Sequence, residues 1–390
     1  MALRAKKITP MTSAEVEDKV APGMRIAAAW SWRILVVVAL VALVGLVVAL
    51  LRDVAVPVFV ALLLAALLVP VKNWLVRKGW PKGLAVAVCE LGLLVVIAGL
   101  ITVVVIFVRR GFPELQDQTV TKYDEFVGWL SGEPFNLSPK DIDVYVQQGL
   151  DALNASSSTL LTGAVSVGSS VLHVVAGALI ALFTTLFILI DGAGMFRWIV
   201  RLFPLRARAA VVGAAEAGWI TLKAFVQVQL LVAFIDAVGI GLGAFILGLF
   251  YGGFPLVVPI AIAVFLASFV PVVGAVATGI FAVFVALVFL GPFPALIMLG
   301  IVILVQQLEG HVLQPLIMGN AVKVHPVAVV LAVATGGFIG GIPGALFAVP
   351  LVAVLNVMVG YIARGEWRIN PHPSVADVLP RTKGTVARVD

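Results

Sequence analysis

The sequence predicts an all-α polytopic membrane protein of about eight transmembrane helices. Broken or re-entrant segments are expected in its C-terminal half, with a small helical extracytoplasmic insertion. Three observations carry this. Of 390 residues, 62% are hydrophobic and only 12% charged, with a mean hydropathy of +1.15, whereas soluble domains carry about 25% charged residues. The basic residues gather between long apolar runs, as orientation is encoded in membranes. Finally, residues 306–350 are strongly apolar yet interrupted by seven glycines and four prolines, with Glu309 and Lys323 their only charges. Lipid-exposed backbone cannot be interrupted so, because each unpaired N–H or C=O in hydrocarbon costs several kcal/mol. Such backbone must be buried in protein or line a watery cavity, which favours a transport pathway over a simple anchor.

The elements follow in order. Residues 1–33 hold six basic and three acidic groups, so the N-terminal segment is expected on the cytoplasmic side. Three spans follow within 34–108, at 34–51, 54–70 and 84–108, with the step Arg52-Asp53 between the first two. The loop 71–83 carries Lys72, Arg77, Lys78 and Lys82 and no acid, a cytoplasmic signature. Residues 109–165 hold eight acidic and four basic groups and are expected outside. Helical spacing of Leu115, Tyr123, Phe126, Val127 and Leu130 predicts a helix over 113–130. Ser138 and Pro139 announce a second. This insertion is too small for an enzyme domain and reads as a helical cap.

The core is expected over 166–360. A fourth span at 171–190 returns at Asp191-Gly192, and the basic segment 191–223 reads as an interfacial cytoplasmic helix pair. A fifth span covers 224–250. Segments 255–270 and 326–339 are short for crossings, and each ends at a Pro/Gly break, Pro271 with Gly274 and Pro343 with Gly344. Paired interrupted segments point to a transporter's binding site; two unrelated proline-containing helices would look the same. The tail 361–390, with five basic and three acidic groups, is expected in the cytoplasm. Both termini inside an inner membrane require an even number of crossings.

Few charges lie within the membrane. Asp236 falls in the middle of the fifth span, where a charge costs about 2.5–3.5 kcal/mol on insertion scales. Its carboxyl must be paired, protonated or hydrated, as a proton or cation site or as a structural hydrogen bond. Glu90, six residues into the third span, is a weaker candidate. Gln307, Glu309 and His311 cluster at the end of an apolar run, where carboxylate and imidazole can exchange protons or sit among headgroups. Lys323 and His325 precede Pro326, where a half-helix would present free N–H groups to a ligand. Gly239 with Gly243 and Gly336 with Gly340 have the GxxxG spacing of close helix packing.

The sequence carries no phosphate-binding GxxxxGK[ST] loop, no HExxH and no GxSxG. One cysteine, Cys89, and four dispersed histidines suggest neither a disulfide nor a metal cluster. The reading is a non-enzyme without cofactor or metal, whose partners are the bilayer and a small-molecule or ion substrate. Nucleic acid is excluded despite the net charge of +6, because the basic groups lie between spans.

The block from Gln306 to Pro350 resembles the C-terminal signature of the autoinducer-2 exporter-like family of permeases. It has a QxxE step, then PxxMG at Pro315, Met318 and Gly319, then His325-Pro326. A glycine-rich turn through Gly340 to Gly344 and Ala348-Val349-Pro350 complete it. Residues 59–88, Asp191-Gly192 and the stretch from Phe269 through Pro271 to Gly274 fit as well. The resemblance implies a homo-oligomeric exporter, a pentamer by the family pattern, moving a small polar signalling molecule such as autoinducer-2. Some relatives are proposed to be sodium/proton antiporters, so a monovalent cation/proton exchanger is the alternative, and a non-transporting membrane scaffold the second. Two positions depart from the family: Val272, where an aromatic residue is common, and His311, where asparagine is. Both are places where a different substrate would register.

Overall fold

The computed structural model describes residues 21–131, 173–254, 256–270, 273–311 and 326–379. These form helices and turns, with no strand among the described residues. By contact the chain divides into a unit of residues 1–55 and a unit of residues 56–390. The first unit contains α1 (Pro22–Leu50), whose apolar window is exposed all along its length. Pro22 starts it at a position where a missing N–H removes no hydrogen bond.

The second unit carries most of α2 (Arg52–Arg77) and then α3 (Lys82–Ser131), α4 (His173–Arg201) and α5 (Leu205–Tyr251). α6 (Val257–Ala267), α7 (Val273–Leu290), α8 (Pro292–Leu308) and α9 (Pro326–Ala363) follow. A 3₁₀ turn (Glu366–Arg368) and α10 (Val375–Val378) end the described chain. Seven of these helices, α1 to α5, α8 and α9, are long and apolar enough to cross a membrane. α6 has 11 residues, about 16 Å, which is short of the ~30 Å of a hydrocarbon core.

Several expected boundaries shift. α3 runs unbroken for 50 residues, so the helix expected over 113–130 continues the third span rather than standing apart. The second insertion helix lies outside the described residues. α4 continues through Asp191-Gly192 to Arg201, and within it the Asp191 carboxylate accepts a hydrogen bond from Gly194 N–H at 3.1 Å. The expected pair over 191–223 is therefore the end of α4 and the start of α5. Arg208 fastens their corner, donating to the carbonyls of Phe203 and Arg201 at 3.0 and 2.9 Å. These carbonyls belong to a helix end that lacks intrahelical donors.

A core formed by α5, α6, α7 and α8 buries Ile240, Ala244, Leu247, Ile260, Val264, Val285 and Met298, among others. Glycines let these helices touch. A Cβ on Gly241 would stand 3.0 Å from Ala261 Cβ, and one on Gly279 would stand 2.8 Å from Val302 Cγ1. At the other end of α5, Ala214 and Ala217 pack with Tyr361, Trp367 and Val378, which docks the C-terminal segment on that half of the helix. Tyr361 O–H donates to the Asn370 carbonyl, and His372 Nδ1 lies 3.1 Å from the Glu216 carboxylate.

Candidate functional site

Both interrupted segments fold back on themselves. In the first, α6 stops at Ala267 and α7 starts at Val273. Gly274 sits so close that a Cβ there would overlap the Ala267 carbonyl oxygen. In the second, the helical path of α9 breaks at Gly341, with φ 61° and ψ −147°, a conformation essentially open only to glycine. Its two arms then run against each other, and a Cβ on Gly344 would overlap the Gly336 carbonyl oxygen. A straight helix separates residues eight apart by about 12 Å, so the chain has reversed. The turn exposes Phe338 (93%), Ile339 and Ile342.

The break after α6 meets α5 at a buried carboxyl. Asp236 is 2% exposed. Its Oδ2 accepts from Ser268 Oγ at 3.3 Å, and its Oδ1 is buried with no hydrogen-bond partner. Ser268 Oγ also lies 2.8 Å from the Val264 carbonyl. A hydroxyl has one proton, so it donates to one of these acceptors at a time. One turn or two away on α5, Gln229 Nε2 donates to the Ser268 carbonyl at 2.7 Å. That carbonyl is freed by the break, and the amide holds the broken backbone to α5.

The antiparallel pairing of α5 with α8 brings in the second carboxyl. Gly243 faces Ile301 and Gly239 faces Val305. One turn further along each helix stand Asp236 and Glu309. The pairing of Gly239 with Val305 puts Glu309 of α8 at the level of Asp236 on α5. The GxxxG glycines thus set the register that gathers the two acids. α8 ends there in a wider turn over 309–311.

A small cavity of about 40 Å³ adjoins Gln229, lined by Leu63, Phe225, Val226, Phe269, Leu346 and Pro350. It lies where α2, α5, the first break and the second arm of α9 meet. Val270 packs in the same cluster with Val333, Ala345 and Ala348. The two broken segments therefore approach one another beside Gln229.

The other expected residues fall as follows. Gln307 and His311 are exposed at the end of α8, with His311 Nδ1 3.3 Å from the Gln307 carbonyl. Gly340 sits at the turn of α9 with open space around it. The Glu90 carboxylate is buried without a hydrogen-bond partner on α3, beside Cys89. Pro271, Pro315, Gly319, Lys323 and His325 lie outside the described residues, and Pro326 starts α9. Among the described residues no group of His, Cys, Asp and Glu is disposed to hold a metal ion. Sequence reasoning passed over Gln229 and Ser268, although an amide within an apolar run and a serine just before a Pro/Gly break were visible signals.

Known proteins share this chain's pattern. The model of the AI-2E family transporter matches residues 34–364. The chain is 39% identical to the Mycobacterium tuberculosis (strain CDC 1551 / Oshkosh) protein named "Putative transport protein MT0215", over 94% of this chain and 98% of that one. It is 27% identical to YueF of Bacillus subtilis (strain 168), over 78% and 84%. It is 25% identical to the "AI-2 transport protein TqsA" of Escherichia coli (strain K12), over 80% and 88%. With its apolar helices and a family match over most of its length, this chain belongs to the AI-2E transporter family of multi-pass membrane proteins.

Proposed function

We propose that this protein exports a small polar solute past its two broken helices, with Asp236 as the group that couples flux to a proton or a monovalent cation. The observation that carries the reading is the buried Asp236 carboxyl, bonded to Ser268 at the break between α6 and α7. A charge buried at membrane depth is costly, which supports a proton or a cation being held beside Asp236.

Ser268 gives that event a mechanical reading. When Asp236 is protonated, its O–H can donate to Ser268 Oγ while Ser268 donates to the Val264 carbonyl. When Asp236 is ionised, Ser268 turns to donate to the carboxylate. The charge state thus bears on the break itself, and Gln229 passes that to the cavity beside Phe269 and Pro350. Autoinducer-2 is the first solute to test, since a relative is named for it. The basic residues at the α2 and α4–α5 ends support a cytoplasmic side for those ends and for both termini, with the protein in an inner membrane.

The second reading is a sodium or lithium/proton antiporter without an organic substrate, favoured by the same pair of acids. Purified protein in liposomes separates the two. Labelled solute accumulating or exchanging across loaded vesicles supports export. Cation-driven change of internal pH with no solute flux supports the antiporter. Neither signal, in vesicles shown to hold folded protein, contradicts both.

A further inference from the structure

We infer that the cleft between the basic end of α2 and α5 is a binding site for the phosphate headgroup of an anionic phospholipid. The cleft has a volume of about 480 Å³ and is lined by Val69, Pro70, Asn73, Val76, Arg77 and Lys223. That volume lies in the ordinary range of ligand sites, about 300–1,000 Å³. Deeper along α2, Leu63, Ala66 and Leu67 pack with Trp219, Leu222 and Val226 of α5.

Its chemistry is that of a phosphate with a hydrocarbon attached. Arg77 offers a planar guanidinium suited to two phosphate oxygens, Lys223 a compact charge, and Asn73 an amide donor. Val69, Pro70 and Val76 supply an apolar wall. Neither Arg77 nor Lys223 takes part in an ion pair among the described residues. No acidic residue occurs between Asp53 and Glu90, and the nearest acid along α5, Glu216, faces His372. Two cations on one cleft without a counter-charge call for an anion.

Depth identifies the anion's source. Trp74 on α2 and Trp80 just after it, close in sequence to the cleft residues Asn73, Val76 and Arg77, are both exposed. Lys78 lies over the Trp74 ring, 3.8 Å from its centroid. Exposed tryptophans mark the level of lipid headgroups, and basic pockets between membrane helices at that level suit anionic headgroups. α2 is held there from its other side, since Lys72 Nζ donates to the Leu189 carbonyl of α4 at 3.2 Å. Lys72 is thus occupied by the fold, and Arg77 and Lys223 are left to the cleft.

The test uses the purified full-length chain in a neutral detergent, with thermal unfolding followed by tryptophan fluorescence. Phosphatidylglycerol, phosphatidylcholine and inorganic phosphate are added at equal concentration. Phosphatidylglycerol should raise the unfolding temperature by several degrees, and the other two should not. Arg77→Gln and Lys223→Gln should each lose at least half of that rise, while Lys78→Gln, which removes a neighbouring charge outside the cleft, should keep it. Native mass spectrometry of the same variants, counting bound phosphatidylglycerol, reads the site even where a variant is less stable. Equal stabilisation by inorganic phosphate would overturn the lipid assignment in favour of a soluble phosphate. An equal loss in Lys78→Gln, or a full lipid response in Arg77→Gln and Lys223→Gln, would overturn the site.

Discussion

Gly239 on α5 faces Val305 on α8 so closely that a Cβ on the glycine would stand 3.0 Å from Val305 Cγ2. The next step of the same seam, Gly243 against Ile301, is tighter, with 2.5 Å to Ile301 Cγ2. Because the seam fixes the α5–α8 register, it also fixes how near Asp236 comes to Glu309. Gly243→Ala should therefore cost about 1–3 kcal/mol through overpacking, and Gly239→Ala less. Adding Ile301→Ala should return part of the loss at Gly243→Ala, as contacting residues couple. Unfolding temperatures in detergent of the three variants and the double variant check this.

The hairpin of α9 makes a contrast within one glycine cluster. Gly344→Ala forces a methyl onto the Gly336 carbonyl, and backbone cannot move aside as a side chain can. Gly341→Ala places a side chain at a backbone conformation that costs about 1–3 kcal/mol for residues other than glycine. Gly340→Ala meets nothing within 4 Å and should change stability by less than about 0.5 kcal/mol. Membrane-inserted yield and unfolding temperature should fall for the first two and hold for the third.

Ser268→Ala removes the hydroxyl that bonds the Asp236 carboxyl, a contact worth about 1.5–3 kcal/mol when the carboxyl is charged. Substrate flux should fall about tenfold or more, since 1.4 kcal/mol is a factor of ten, while Ser268→Thr keeps a hydroxyl and part of the rate. Gln229→Leu leaves the Ser268 carbonyl without its amide donor and should lower stability and flux together. Initial rates in liposomes, normalised to folded protein, separate these outcomes.

At the docked C-terminal segment, two contacts should differ in weight. His372 and Glu216 form an exposed pair, and His372→Ala should cost less than about 1 kcal/mol. Tyr361 is buried against Gly213 and Ala214, and Tyr361→Ala should cost about 3–5 kcal/mol, in the range of large aromatic truncations. Thermal unfolding of the two variants side by side reads the difference.

The sequence made the breaks legible because proline and glycine act locally. Pro343 with Gly344 and Pro271 with Gly274 announce the ends of short apolar runs without knowledge of their neighbours. The spacing of Gly239 and Gly243 likewise announced a packing face. What stayed hidden is long-range: that this face meets Val305 and Ile301, and so brings Glu309 to Asp236, depends on a register no local pattern encodes. Asp191-Gly192 looked like a span's end because a charge and a glycine usually mark one. In the structure both lie inside α4, which runs on to Arg201. Ser268 and Gln229 carry no charge, so a search for ionisable groups passed them by.

Asp236→Asn in liposomes asks whether Asp236 is the coupling group. The asparagine keeps size and hydrogen bonding but cannot bind or release a proton. With wild type, Asp236→Asn and Glu309→Gln reconstituted at equal folded density, solute flux and internal pH are followed together under an imposed proton or sodium gradient. With Asp236 as the coupling group, gradient-driven flux is lost in Asp236→Asn and weakened in Glu309→Gln, with unfolding temperatures kept within a few degrees of wild type. Gradient-driven flux of wild-type size in Asp236→Asn would contradict that role.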